Sequence, residues 1–141
     1  MNRSDFQKRT KQFALDVIHF VESLPHQSTR SVLVQQLLHA ATSVAANYRA
    51  ACRARSTADF LSKLGIVEEE ADESRFWLEL LQESGLVKDA RAARLMQEAD
   101  EITAMTVASI RRVRQAPHPA QSTRRSSRVA SEIINPKSEI T

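Results

Sequence analysis

The stretch STADFLSKLGIVEEEADESRFWLELLQESG, residues 56–85, decides the fold. Within it Phe60, Leu64, Val67, Ala71, Ser74, Leu78 and Leu81 recur at alternating steps of four and three. That rhythm places all seven on one face of a helix and holds for three heptads. Ser56 reads as the N-cap, Asp59 sits where a negative charge suits the positive end of the helix dipole, and Gly85 supplies the stop. A second row lies about 100° around the same helix. It holds Ile66, Glu70, Glu73, Trp77 and Leu80, mixing large apolar groups with two carboxylates.

Working outward, the same rhythm returns three more times. Phe6, Thr10, Phe13, Val17, Phe20 and Leu24 mark a first helix beginning near Ser4 and stopped by Pro25. Leu33, Leu37, Ala40, Val44, Asn47 and Ala51 mark a second, starting near Ser28. Beside them runs an adjacent row of Val34, Leu38, Ala41, Ala45, Tyr48 and Cys52, so this helix is expected to be covered over a wide arc. Its run of small residues from Ala40 to Ala46 invites close approach by a neighbour. Leu95, Ala99, Ile102, Thr106, Ser109 and Val113 mark a fourth helix from about Asp89 to Gln115. Short connections favour antiparallel neighbours. The expectation is an all-α, antiparallel, up-down-up-down four-helix bundle over residues 1–116. Residues 117–141, rich in Ser, Thr, Arg and Pro, are expected to be a flexible, disordered basic tail.

Composition agrees with helices. Two glycines and four prolines in 141 residues leave little room for the tight turns of a sheet. One cysteine, Cys52, excludes an internal disulfide and fits a reducing compartment. No apolar run approaches the roughly 20 residues that span a bilayer. A cytoplasmic location with no membrane partner is therefore expected.

The net charge of +3 conceals a segregation. Residues 1–63 carry nine basic against four acidic groups, residues 64–110 four against eleven, and residues 111–141 seven against two. Arg49, Arg53 and Arg55 crowd the connection between the second and third helices, and Arg111, Arg112 and Arg114 close the fourth. An up-down-up-down bundle brings these clusters to one end, where they form a candidate nucleic-acid-binding surface. The plainer account is that cations complement helix C-termini. Tyr48 is the one aromatic residue near them in sequence, a poor basis for stacking.

Chemistry of other kinds finds little support. No glycine-rich phosphate loop is present. None of His19, His26, His39 and His118 has a Glu three positions before it, as a di-metal bundle would need. Glu22 and His26 are one turn apart but flank a helix end. Cys52 has Arg49, Arg53 and Arg55 as neighbours but no adjacent histidine to act as a base. No catalytic residue, metal ligand or cofactor site is therefore assigned, and a metal-dependent enzyme is the least favoured reading. Glu70 and Glu73, set in an apolar row, need donors. Ser43 and Asn47, as a buried polar layer, or Arg49 and Arg53, are candidates to supply them. The same carboxylates, with Ile66, Trp77 and Leu80, also form a candidate oligomer interface, since that row is surplus for a lone bundle.

The run Gln36-Leu37-Leu38-His39-Ala40-Ala41-Thr42-Ser43-Val44-Ala45-Ala46-Asn47 resembles the second-helix motif of the bacterial "four helix bundle protein" family. That family was first noticed in intervening sequences within 23S ribosomal RNA genes. Its members read Gln-Leu-x-Arg-Ala-x-x-Ser-Ile-x-x-Asn there, so His39 stands where Arg is usual. Residues 56–64, Glu70 to Ser74 and Trp77-Leu78 resemble its third helix, and the likeness covers roughly residues 10–113. The resemblance implies a four-helix bundle assembled as a ring, a homopentamer, without enzymatic activity. The family is similar in fold to an accessory protein of diversity-generating retroelements, which associates with a reverse transcriptase and nucleic acid. The implied partners are thus other copies of this chain, with RNA, DNA or a further protein as alternatives.

Overall fold

A computed structural model describes residues 1–25, 28–87 and 90–116. Four α-helices make up the fold: α1 (Arg3–Glu22), α2 (Ser28–Ala51), α3 (Thr57–Glu83) and α4 (Ala90–Gln115). The expected tail, residues 117–141, lies outside the described residues, as do Asp89, His26 and His118.

Helix boundaries follow local chemistry. Ser56 has extended backbone dihedrals, and its Oγ accepts from the Asp59 N–H at 3.0 Å, so the cap read from the sequence forms as drawn. Asn2 does the same for α1, its Oδ1 accepting from the Asp5 N–H at 2.9 Å. At the far end of α3, Gly85 turns into the left-handed region with φ +76°, a conformation that a Cβ would oppose. The turn lets the Gly85 N–H reach the Gln82 carbonyl and the Val87 N–H reach that of Leu81, each at 3.1 Å.

Each helix packs against two neighbours around the bundle. The seam between α2 and α3 is the longest, and that between α1 and α4 the shortest. Small residues explain the first: Ala40, Ala41, Val44 and Ala51 of α2 and Ala71 of α3 are all buried, letting the backbones close. All seven stripe residues of α3 are buried. So are Phe6, Thr10, Phe13, Val17 and Phe20 of α1 and Leu95, Ala99, Ile102, Thr106 and Ser109 of α4. Thr10, Asn47, Ser74 and Thr106, polar members of the stripes, are satisfied within their own helices. Thr106 Oγ1 donates to the Ile102 carbonyl at 2.7 Å, and Ser74 Oγ to that of Glu70 at 2.8 Å.

Long side chains rather than backbone proximity close the α1–α4 seam. The Arg9 guanidinium binds both oxygens of Glu98, reaches Glu101 Oε2 at 2.7 Å and touches Met105 Sδ at 3.3 Å. One turn from the bundle end, the Arg91 guanidinium lies 5.4 Å from the Phe20 ring centroid and donates to Ser23 Oγ at 2.8 Å. Between these two arginines a cleft of about 430 Å³ remains, with Asp16, His19, Arg94 and Leu95 on its walls. Among the described residues, no helix is long and apolar enough to cross a membrane.

Candidate functional site

Two regions depart from a plain bundle. The first is the flank of α3 that carries Ile66, Glu70, Glu73, Trp77 and Leu80. Arg75, on the opposite flank, pairs with Asp100 of α4 at 3.2 Å and with Glu79 at 3.0 Å. The row with Trp77 therefore looks the other way, toward the outer edge of the α2–α3 seam, where His39 of α2 acts on Glu70. Ile66, Glu70, Trp77 and Leu80 are half-buried, and Glu73 is exposed. Phe76 is 47% exposed and packs its ring edge-on to Trp77, with centroids 5.1 Å apart. Val32 of α2, 63% exposed, lies toward the same end of the bundle because α2 and α3 run antiparallel.

Two polar atoms on this flank are buried and without hydrogen-bond partners: the Glu70 Oε2 oxygen and the Trp77 indole Nε1. Each such group costs about 1–3 kcal/mol. Burial, more than anything else, raises the Glu70 carboxyl above its ordinary range; Glu73 and Glu69 add to the rise, and His39 opposes it. A carboxyl raised on folding holds its proton more tightly in the native state. Stability therefore falls as pH rises through the window above the unfolded value, and the loss is complete beyond the folded one. Glu70→Gln should accordingly raise the melting temperature of the isolated chain at pH 7. Melts repeated at falling pH should show that gain disappearing as wild-type Glu70 becomes protonated.

Ser43 and Asn47 are half-buried, and the Asn47 amide donates to the Ser43 carbonyl at 2.9 Å, within α2. Neither they nor Arg49 or Arg53 hydrogen-bond to Glu70 among the described residues.

The second region is the end of the bundle where α1 and α3 begin and α2 and α4 finish. Arg49, Arg53 and Arg55, from the close of α2 and the following connection, are exposed there, as are Arg111, Arg112 and Arg114 of α4. Arg3, which the spacing of apolar residues did not single out, joins them from below. It is 4% exposed, with its guanidinium 4.3 Å above the Phe60 ring and its Nη1 without a hydrogen-bond partner. Burial lowers its pKa; Tyr48 and Cys52 oppose that effect and Arg112 reinforces it, so all four helices meet around this one cation. The only sequence hint was its position three residues before Phe6, in step with the α1 stripe. Burial pushes the Cys52 thiol up, the direction opposite to that of a reactive nucleophile. The Tyr48 hydroxyl is also pushed up, chiefly by burial.

Among the described residues, no group of three or more His, Cys, Asp or Glu side chains is arranged to hold a metal ion.

Comparison with known proteins agrees with this architecture. A crystal structure of a protein with unknown function from the S23 ribosomal protein family of Bacteroides thetaiotaomicron superposes with a TM-score of 0.73. It is 29% identical, and the match covers 79% of this chain and 99% of that one. Among curated proteins, no significant match is found. The sequence profile of the 23S rRNA-intervening sequence protein family matches residues 2–108, which include all of α1, α2 and α3 and most of α4. On that match, carried by the same four helices that build the bundle, the chain belongs to the 23S rRNA-intervening sequence protein family.

Proposed function

We propose that this chain is a non-enzymatic assembly module of the cytoplasm: it associates with copies of itself through the α2–α3 flank and offers the resulting particle as a scaffold to a partner. The carrying observation is the pair of buried, unpartnered atoms on that flank, Glu70 Oε2 and Trp77 Nε1, bordered by exposed Phe76 and Val32. An indole N–H without an acceptor and a carboxylate without a donor are costly in a lone chain. A second copy can supply both and cover the rings. Apolar aromatic groups at the centre of a contact, with polar groups at its margin, are the usual anatomy of such interfaces. Burial of about 800 Å² per partner is sufficient for a stable one. The likeness to the bacterial bundle family supports a closed ring, with five subunits as the expected number. Cys52 as the one cysteine in the sequence suits a reducing compartment.

Native mass spectrometry of the full chain, with sedimentation equilibrium across a range of concentrations, tests this reading. The expected particle is a multiple of 15.8 kDa, five-fold for the ring. A species that stays monomeric at the highest concentration would sink the proposal.

A further inference from the structure

We infer that the basic end of the bundle binds nucleic acid through its phosphodiester backbone, without reading bases, and that buried Arg3 supports the site from beneath. This goes beyond the assembly reading and stands on other residues. Residues 1–8, 49–63 and 111–116, which make up this end, hold nine basic side chains against two acidic ones, Asp5 and Asp59. Among the described residues, none of the nine takes part in an ion pair, in contrast to Arg9 and Arg75. Complementing the helix C-termini explains a cation or two. It does not explain Arg3, which sits at a helix N-terminus, nine-tenths buried, with no carboxylate beside it and one nitrogen unsatisfied. A buried cation of that kind costs stability and keeps a positive field under the surface arginines.

The chemistry of the patch selects its partner. Seven of the nine cations are arginines, whose forked donors suit phosphate oxygens. Phe6, Tyr48 and Phe60, the rings at this end among the described residues, are 0%, 1% and 4% exposed, so no face is free for a base to stack on. Contacts to phosphate carry no sequence information by themselves. An anionic membrane is the less suited partner. The exposed large apolar residues of the described chain are Met1, Leu15, Val32 and Phe76, and only Met1 lies at this end. The ends of α2 and α4 are diagonal in the bundle, roughly 13 Å apart for ordinary helix spacings. At about 3.4 Å of helix axis per phosphate, that span meets about four phosphates of one strand.

Fluorescence anisotropy of the full chain with labelled U20, A20 and a 20-base-pair duplex tests the inference, beside sedimentation with phosphatidylserine vesicles. All three oligonucleotides should bind with affinities within about threefold of one another, and affinity should fall roughly 100-fold between 50 and 200 mM salt. A variant combining Arg49→Ala, Arg53→Ala, Arg111→Ala and Arg114→Ala should lose at least about 100-fold while keeping its helical circular dichroism. Arg3→Met should melt at the same temperature or higher and still bind several-fold more weakly, a pairing that a purely structural role would not produce. No binding, discrimination above about tenfold between U20 and A20, or retention of affinity in the fourfold variant would each overturn the inference. Sedimentation with vesicles in place of oligonucleotide binding would do the same. Unchanged affinity in Arg3→Met would remove Arg3 from the site.

Discussion

Phe6→Ala should lower the free energy of unfolding by about 3–5 kcal/mol, the range for deleting a fully buried phenyl ring. Phe6 has no exposed surface, and its ring meets that of Tyr48 edge-on at 4.6 Å and 83°. The substitution therefore removes apolar burial, opens a cavity between α1 and α2, and breaks an aromatic pair worth about 0.5–1.5 kcal/mol by itself. Native domains have only about 5–15 kcal/mol in total, so a large share of the stability goes. Urea titration followed by circular dichroism measures it. Leu15→Ala on the same helix makes the comparison: Leu15 is 38% exposed, and its loss should stay within about 0.5 kcal/mol. Equal effects at the two positions would mean that α1 packs through a different face.

On the proposed self-assembly through the α2–α3 flank, Trp77→Ala should yield monomers at micromolar concentration where the wild-type chain yields a larger particle. A tryptophan at the centre of an interface commonly contributes 2 kcal/mol or more, about thirtyfold in affinity, and every contact of a ring loses it at once. Trp77 is also half-buried against its own bundle, so the alanine variant loses some monomer stability as well. Phe76→Ser separates the two effects. Phe76 is half in solvent, meets the Trp77 ring edge-on, and can be replaced without opening the core. Both variants should lower the native mass while Phe76→Ser leaves the helical spectrum unchanged. Full-size particles from both would remove this flank from the assembly.

The bundle was legible in the sequence because burial in parallel rods has a period, and apolar side chains record it. The α3 stripe, the Ser56 cap and the Gly85 stop all read correctly, since each depends on residues no more than a few positions apart. The row from Ile66 to Leu80 was legible as a row. Its two orphaned atoms were not, because whether Glu70 meets Asn47, Arg49 or His39 depends on the rotation of α2 against α3. Asn47 spends its amide on the Ser43 carbonyl instead, a choice made within α2.

Periodicity and capping chemistry by themselves determined that four amphipathic helices form, where α3 starts and stops, and which residues of each stripe turn to the core. The tertiary structure alone decided which distant charges meet and which are left without partners. Arg9 finds Glu98 and Glu101 across the sparsest seam, and Arg3 sinks beneath the arginine-rich end over Phe60. The reason is one of range: helix formation and amphipathicity are set over a few turns of chain, whereas pairing between helices depends on their relative rotation and height, which only the packed core defines.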